Sequence, residues 1–173
     1  MILKAFKEKS NQKFIDRILA ERKVSMSVNK IDSVGVLLNN SEFNDHSEIE
    51  LFLQKEIGIK PNKCRFITFS ENPKAESNLW DTVFTHKHFG WKGALKSQDL
   101  IDFTNTKFDV LICYFLASNF ELKQIAAMSQ AKFKVGISNE DERLYDLIID
   151  LSPNNFDIFK IEFKKYLTVL NKI

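Results

Sequence analysis

Glycine is scarce in this chain, with five residues in 173. The first apolar segment, residues 33–38, contains Gly35 but is not followed by the further glycines of a G-x-G-x-x-G fingerprint, and the chain has no P-loop. Without those glycines the backbone cannot approach a diphosphate closely. The sequence therefore gives no support for dinucleotide or P-loop binding, and no cofactor is predicted.

Cysteines and long apolar runs are also few. The two cysteines, Cys64 and Cys113, lie in predicted strands, where buried thiols behave as small hydrophobic side chains. The chain has no cysteine-rich framework, which favours a cytoplasmic protein. The longest apolar run has eight residues, fewer than half of the ~20 that a transmembrane helix needs. Lysines interrupt the start of the chain where a signal peptide would be apolar, so export is not predicted.

Patterns of catalysis and metal binding are missing as well. No G-x-S-x-G elbow occurs, and the loop carboxylates, among them Glu71 and Asp81, have no spacing that marks a catalytic pair. His86 and His88 are close in sequence but His46 is distant, whereas a zinc site needs three or four ligands. We predict no metal site and no catalytic residue, and we favour a protein that is not an enzyme.

The centre of the chain, residues 108–138, carries a strand–helix–strand pattern. Residues 110–117 are an unbroken apolar run, typical of a strand buried on both faces of a parallel sheet. Ser118 precedes Glu121 by three residues, the spacing of a capping box. An apolar helical stripe follows, and residues 133–137 form the next strand. Such a unit crosses over with a right hand.

The same pattern occurs earlier in the chain. Residues 33–38 form a strand, Asp45 and Glu48 cap a helix that stops at Gly58, and residues 63–69 form the next strand. Further predicted elements are a short strand within residues 80–85, a short helix from Ser97 through Phe103, and a last strand over 146–151.

A helix is predicted at each end, over residues 1–23 and 154–172. Apolar side chains of the first helix are expected on one face, namely Ile2, Leu3, Phe6, Phe14, Ile15, Ile18 and Leu19, with an interruption at residues 10–12. The alternation of elements predicts one α/β domain over residues 1–173, with its sheet within 33–151. We expect a Rossmann-like three-layer fold and a mostly parallel sheet of about five or six strands, with the first strand beside the central one.

Polar side chains follow four of the predicted strands. In parallel sheets ligands bind outside the carboxyl ends of the strands, where the winding reverses. We therefore predict ligand-binding candidates at these ends, although the same residue types are common in turns and helix caps. The candidates are Asn39, Asn40, Ser70, Glu71, Ser118, Asn119, Ser138 and Asn139.

Positive charge is concentrated near the N-terminus. Residues 1–30 hold eight basic and three acidic residues, whereas the whole chain carries a net charge of +2. Residues 86–96 interleave histidine, lysine and aromatic side chains, a composition that suits stacking on bases with phosphate contacts. The alternative is a solvated helix face and a loop anchored by its aromatics. The interaction candidates are Lys4, Lys7, Lys13, His86, Lys87, His88, Trp91 and Lys92.

Several stretches resemble an uncharacterised family of small flavobacterial proteins. They are MILKAFKEK, SVGVLLN, HFGWKG, KFDVLICY, AKFKVGI, DERLYDLII and YLTVLNKI. The resemblance implies a cytoplasmic bacterial protein and transfers no catalytic residue. Residues 107–138 also resemble, at the level of fold, the N-terminal half of heptosyltransferase-like enzymes. Fold alone is no guide to chemistry.

The sequence is therefore interpreted as a cytoplasmic α/β domain that is a non-catalytic interaction module, with a protein or RNA partner for its basic first helix. The alternative is a small ligand-binding or transferase-like domain that recognises a nucleotide or sugar phosphate at its strand ends. Attachment of the first helix to a membrane surface is a third hypothesis.

Overall fold

The computed structural model describes residues 1–24, 30–72, 82–116 and 119–173. The helices are α1 (Ile2–Glu21), α2 (His46–Phe52), α3 (Gln98–Asn105), α4 (Phe120–Met128) and α5 (Phe156–Val169). The strands are β1 (Val34–Asn39), β2 (Cys64–Phe69), β3 (Thr82–Phe84), β4 (Val110–Tyr114), β5 (Phe133–Gly136) and β6 (Leu147–Ile148).

These strands form one sheet in the order β3-β2-β1-β4-β5-β6, and every neighbouring pair is parallel. This is the order of the doubly wound Rossmann fold, in which the winding reverses between β1 and β4. The predicted fold class is confirmed, including the position of the first strand beside the central one.

Both faces of the central strands are buried, as the apolar runs predict. Val110, Ile112 and Tyr114 of β4 pack into the core beneath α2 and α5. Leu111 and Cys113 alternate with them and pack into the core on the opposite face, with α1, α3 and α4. The alternation follows from the two-residue period of a strand, so one uninterrupted apolar segment supplies two separate cores.

Several element boundaries differ from the predictions. Strand β4 ends at Tyr114, three residues before the end of the apolar run. The cap of α4 is Asn119, whose Oδ1 accepts a hydrogen bond from the amide of Leu122 at 2.9 Å, and Ser118 lies outside the described residues. The last strand has only two residues, and it pairs with β5 at the edge of the sheet. The predicted strand at 80–85 is present as β3, and Trp80 and Asp81 lie outside the described residues.

Helix α2 ends as its sequence predicts. It continues through a π-helical turn at Leu53–Ile57, and Gly58 closes this turn with a φ of +89°. That left-handed conformation costs glycine little because it has no Cβ.

The apolar face of α1 differs from the prediction. Ile15 and Leu19 are buried, whereas Ile2 and Leu3 are both 74% exposed and Phe6 is 60% exposed. The buried position one turn before Ile15 is Asn11, in the stretch that interrupts the apolar pattern. The first two turns of α1 therefore present apolar and basic side chains to solvent together. None of the helices in the described ranges is long and apolar enough to span a membrane.

Candidate functional site

The carboxyl ends of the strands lie along one edge of the sheet, as the parallel pairing requires. The predicted residues of the described part are engaged locally there. Asn39 donates to Glu42 and accepts from the hydroxyl of Ser41, at 2.8 and 2.9 Å. The hydroxyls of Ser70 and Ser138 each accept from the amide two residues on, at 3.1 and 3.3 Å.

Two other predicted strand-end side chains, those of Asn119 and Asn139, also make hydrogen bonds within the protein. Asn119 caps α4, as described above, and Asn139 donates to the carboxylate of Asp150 at 2.9 Å. The backbone amide of Asn40 bonds to the carbonyl of Phe69, and Glu71 is exposed. Ser118 lies outside the described residues. The ligand site at this edge stays a prediction.

The side chain of Glu42 connects the end of β1 with the segment after β4, at the point where the winding of the sheet reverses. One carboxylate oxygen accepts from the side-chain amide of Asn39, and the other accepts from the backbone amide of Leu116 at 2.7 Å. A carboxylate of the protein itself thus lies between the ends of β1 and β4, where a phosphate would need hydrogen-bond donors. No local pattern in the sequence marks this role of Glu42, since its partner is 74 positions away.

The charged loop after β5 is an ion-pair network. Asp141 accepts from two nitrogens of Arg143 at 2.8 and 2.9 Å, and from the ammonium of Lys123 at 2.8 Å. The hydrogen bond from Arg143 holds the pKa of the Asp141 carboxyl well below its usual range, although burial opposes this. Arg143 also reaches Asp16 of α1 at 3.2 Å. The network joins α1, α4 and the last crossover.

The basic first helix and the segment 86–96 lie against each other. The side chain of Asn11 donates to the carbonyl of Gly90 and accepts from the amide of Gly93, both at 2.9 Å. Gly93 has a φ of +79°, and a Cβ built there would lie 2.3 Å from the ring of Phe14. Only glycine at this position lets the turn approach the helix so closely. Together α1 residues 1–13 and residues 86–96 form what we call the helix–turn surface.

Trp91 is at the tip of this surface and is 49% exposed. Trp91 begins a tight turn, which is closed by a hydrogen bond of 3.1 Å from the Ala94 amide to the Trp91 carbonyl. Lys92 and Gly93 both have positive φ, as a type I′ hairpin turn requires. Phe89, in contrast, is buried. Of the two aromatic side chains, one therefore anchors the segment and the other faces solvent.

Six of the eight interaction candidates are exposed on the helix–turn surface, and Lys7 and His88 are half-buried there. The Nδ1 of His88 accepts from the amide of Thr85 at 3.0 Å. Lys4 pairs loosely with Glu8 at 3.9 Å. Within the described ranges Lys7, Lys9, Lys13, Lys87 and Lys92 make no ion pair. Asn11 was not among the candidates, although the polar interruption at residues 10–12 marked its position.

His86 and His88 lie in a short 3-10 helix. In the part of the chain that the structure describes, no group of three or more histidine, cysteine, aspartate and glutamate side chains is suited to hold a metal ion.

The protein is thus a doubly wound α/β protein whose helix–turn surface carries cationic and aromatic side chains. The chain belongs to a family of unknown function, DUF6913, which it matches over residues 7–170. This confirms the resemblance to an uncharacterised family, and the flavobacterial origin stays a prediction. Comparison with curated proteins and with solved structures gives no match.

Proposed function

We propose that the protein is a non-catalytic cytoplasmic interaction module that binds single-stranded RNA through the helix–turn surface. The observation that carries this proposal is a pair of hydrogen bonds: the side chain of Asn11 donates to the carbonyl of Gly90 and accepts from the amide of Gly93. They fix the cationic helix to the turn that presents Trp91, so two segments that are distant in sequence act as one surface.

The chemistry of this surface suits a single strand of RNA. Trp91 offers an indole face next to Lys92, and exposed Phe6 lies among the lysines of α1. Aromatic rings stack on unpaired bases, and surrounding cations contact the phosphates. Lys9 and Lys13 lie four residues apart on one side of α1, and both are exposed. Cations without ion pairs are free to contact a polyanion without first losing a partner.

An acidic protein is the other partner that the charge would attract. Cations alone would serve both partners equally, but a half-exposed tryptophan at the tip of a rigid turn adds a stacking face that RNA uses and acidic side chains do not. The exposed indole therefore favours RNA.

The nucleotide or sugar-phosphate hypothesis has less support. The side chains of Asn39, Ser70, Asn119 and Ser138 bond to their own turns or helix cap. The carboxylate of Glu42 already accepts the hydrogen bond of the Leu116 amide. A phosphate entering there would meet the negative charge of Glu42, which raises the free energy of binding.

Fluorescence anisotropy with a labelled single-stranded RNA of mixed sequence tests the proposal. Trp91→Ala should weaken binding about tenfold, since base stacking on an aromatic ring contributes about 1–3 kcal/mol. Lys13→Gln with Lys87→Gln should also weaken it, and should reduce the slope of log K against log salt by about 1.4, as the loss of two phosphate contacts requires.

The control is Lys55→Gln with Lys60→Gln, two exposed lysines beside α2 in the opposite helical layer. This variant loses the same charge and should bind RNA as the wild type does. Equal weakening by both double variants would show charge-driven association without a site. RNA binding that Trp91→Ala leaves unchanged, or no RNA binding together with binding of polyglutamate at the same surface, would overturn the proposal.

A further inference from the structure

A second concentration of positive charge lies at the opposite edge of the sheet, where β4 and β5 begin. The C-terminal ends of α1, α3 and α4 surround a cleft of about 490 Å³ there. Five cationic side chains line it: Arg22, Lys23, Lys107, Lys132 and Lys134. We call it the basic cleft.

Two carboxylates neutralise part of this charge. Arg22 pairs with Asp146 at 2.5 Å, and Lys132 pairs with Asp109 at 2.7 Å. Five cations less two carboxylates leave an excess of three positive charges. Lys23 and Lys107 are exposed at the rim, and neither makes an ion pair within the described ranges.

The helix ends do not account for this excess. A helix C-terminus carries about half a negative charge, so three of them supply about −1.5, and lysines commonly neutralise such ends. About half of the excess positive charge of the cleft therefore has no counterpart in the described part of the protein. An anion is the simplest counterpart.

Lys134 forms part of the cleft wall and is 2% exposed. Its ammonium donates to the carbonyls of Ala126 and Ala127 at 2.7 and 3.3 Å, at the end of α4. Two of the three N–H donors of the ammonium therefore have partners, and the third has none among the described residues. A buried cation with a spare donor, inside a cleft that other cations line, is an arrangement that holds an oxyanion.

We propose that the basic cleft binds the phosphate group of a small phosphorylated molecule. The volume lies within the range of ~300–1,000 Å³ for small-molecule sites and exceeds what a phosphate alone needs. Ile18, Ala127 and Ala131 supply an apolar part of the wall. The phosphate contacts the cations, and the organic part of the molecule packs on this apolar part. The site is separate from the helix–turn surface and adds a second ligand to the proposed function.

Lys134 also supplies an internal reporter. Burial, with a contribution from the charge of Arg22, lowers its pKa from 10.5 to about 8. A bound oxyanion favours the charged ammonium, so binding should raise the pKa of Lys134.

Isothermal titration calorimetry of the full chain with pyrophosphate and with adenosine diphosphate tests this inference. We expect binding of both, weakened about tenfold or more by Lys23→Gln with Lys107→Gln, since this variant removes two charged contacts to the phosphate. These rim residues make no ion pair in the described ranges, so the variant should keep its fold. Lys55→Gln with Lys60→Gln is the charge-matched control and should leave both affinities unchanged. Titration of lysine side chains by NMR should show the pKa of Lys134 rising when pyrophosphate is present.

No binding of either probe, or equal weakening by the rim variant and the control, would overturn the inference. If the rim variant weakens RNA binding while pyrophosphate does not bind, the cleft belongs to the path of the RNA. In that case the inference fails although the proposed function stands.

Discussion

The ring of Phe14 lies over the backbone of Gly93, so close that a Cβ at residue 93 would be 2.3 Å from the ring. Asn11, one turn earlier on the same helix, accepts a hydrogen bond from the amide of the same glycine. Residue 93 therefore has no room for a side chain and its amide is held in place. This contact holds the turn against the helix, together with the hydrogen bond from Asn11 to the carbonyl of Gly90.

Alanine substitution at Gly93 and at Gly58 separates the cost of the left-handed backbone conformation from the cost of steric overlap with Phe14. Gly58 also has a positive φ, +89°, but an added Cβ there would meet nothing within 4 Å. Gly58→Ala should therefore cost only the left-handed conformation, about 1–2 kcal/mol. Gly93→Ala carries that cost and the overlap with Phe14, so we expect a loss of about 2–5 kcal/mol in the free energy of unfolding. Urea denaturation of both variants measures the difference.

The double variant Gly93→Ala with Phe14→Leu checks the cause. Leucine lacks the ring, so the double variant should lose less stability than the two single changes added together. Equal losses for Gly93→Ala and Gly58→Ala, or strict additivity with Phe14→Leu, would show that the close approach to Phe14 has no energetic weight.

Local patterns in the sequence predicted most of the fold. The apolar run of β4 and the helix stop at Gly58 are features of a few consecutive residues, and the order of the strands follows from general rules of handedness and burial. The three-layer architecture therefore follows from residues that are neighbours in sequence. The prediction that the apolar residues of α1 share one buried face was wrong for the first two turns. Periodicity identifies which side chains share a face, but it does not show how far along the helix that face is covered by the rest of the protein.

The site was less predictable, since its contacts join distant residues. Asn11 and Gly93 are separated by 82 positions, and Glu42 and Leu116 by 74. No local spacing marks such pairs. Lys134 did leave a signal, as a single charge within an otherwise apolar strand, but its position in a cleft depends on where three helices end.

Two buried tyrosines offer a matched test of hydrogen-bond energetics. The hydroxyl of Tyr114 donates to the carbonyl of Pro153 at 2.8 Å. The buried hydroxyl of Tyr145 has no hydrogen-bond partner in the described part of the chain. Burial raises the pKa of both phenols, so both are neutral at pH 7. Tyr114→Phe should lower the free energy of unfolding by about 1 kcal/mol, whereas Tyr145→Phe should leave it unchanged or raise it by up to about 1 kcal/mol.

Thermal and urea unfolding at pH 7 check this pair, because both substitutions remove one hydroxyl and keep the ring. A loss for Tyr145→Phe as large as that for Tyr114→Phe would mean that the Tyr145 hydroxyl is satisfied in solution.

Asp109 should make the stability of the protein sensitive to acid. Its carboxylate accepts hydrogen bonds from the backbone amides of Asp32 and Ser33, at 3.0 and 2.9 Å, and from Lys132 at 2.7 Å. Burial opposes ionisation, but these bonds outweigh it and lower the pKa from 3.8 to about 2. In the unfolded chain the group returns to its ordinary pKa. The folded state therefore releases this proton more readily than the unfolded chain. The contribution of ionised Asp109 to the free energy of unfolding is complete above about pH 4, and it disappears as the pH falls towards 2.

The variant Asp109→Asn tests whether protonation of Asp109 lowers the stability of the protein in acid. Above about pH 4 the variant should unfold with a free energy lower by about 1–3 kcal/mol, since it loses hydrogen bonds to a charged acceptor. Between about pH 4 and 2 the wild type should lose that advantage and the two curves should converge. Glu21→Gln, which removes an exposed carboxylate of α1 that makes no ion pair within the described ranges, should run parallel to the wild type. A constant gap between Asp109→Asn and the wild type from pH 7 down to 2 would show that Asp109 stabilises the fold through its shape and not through its charge.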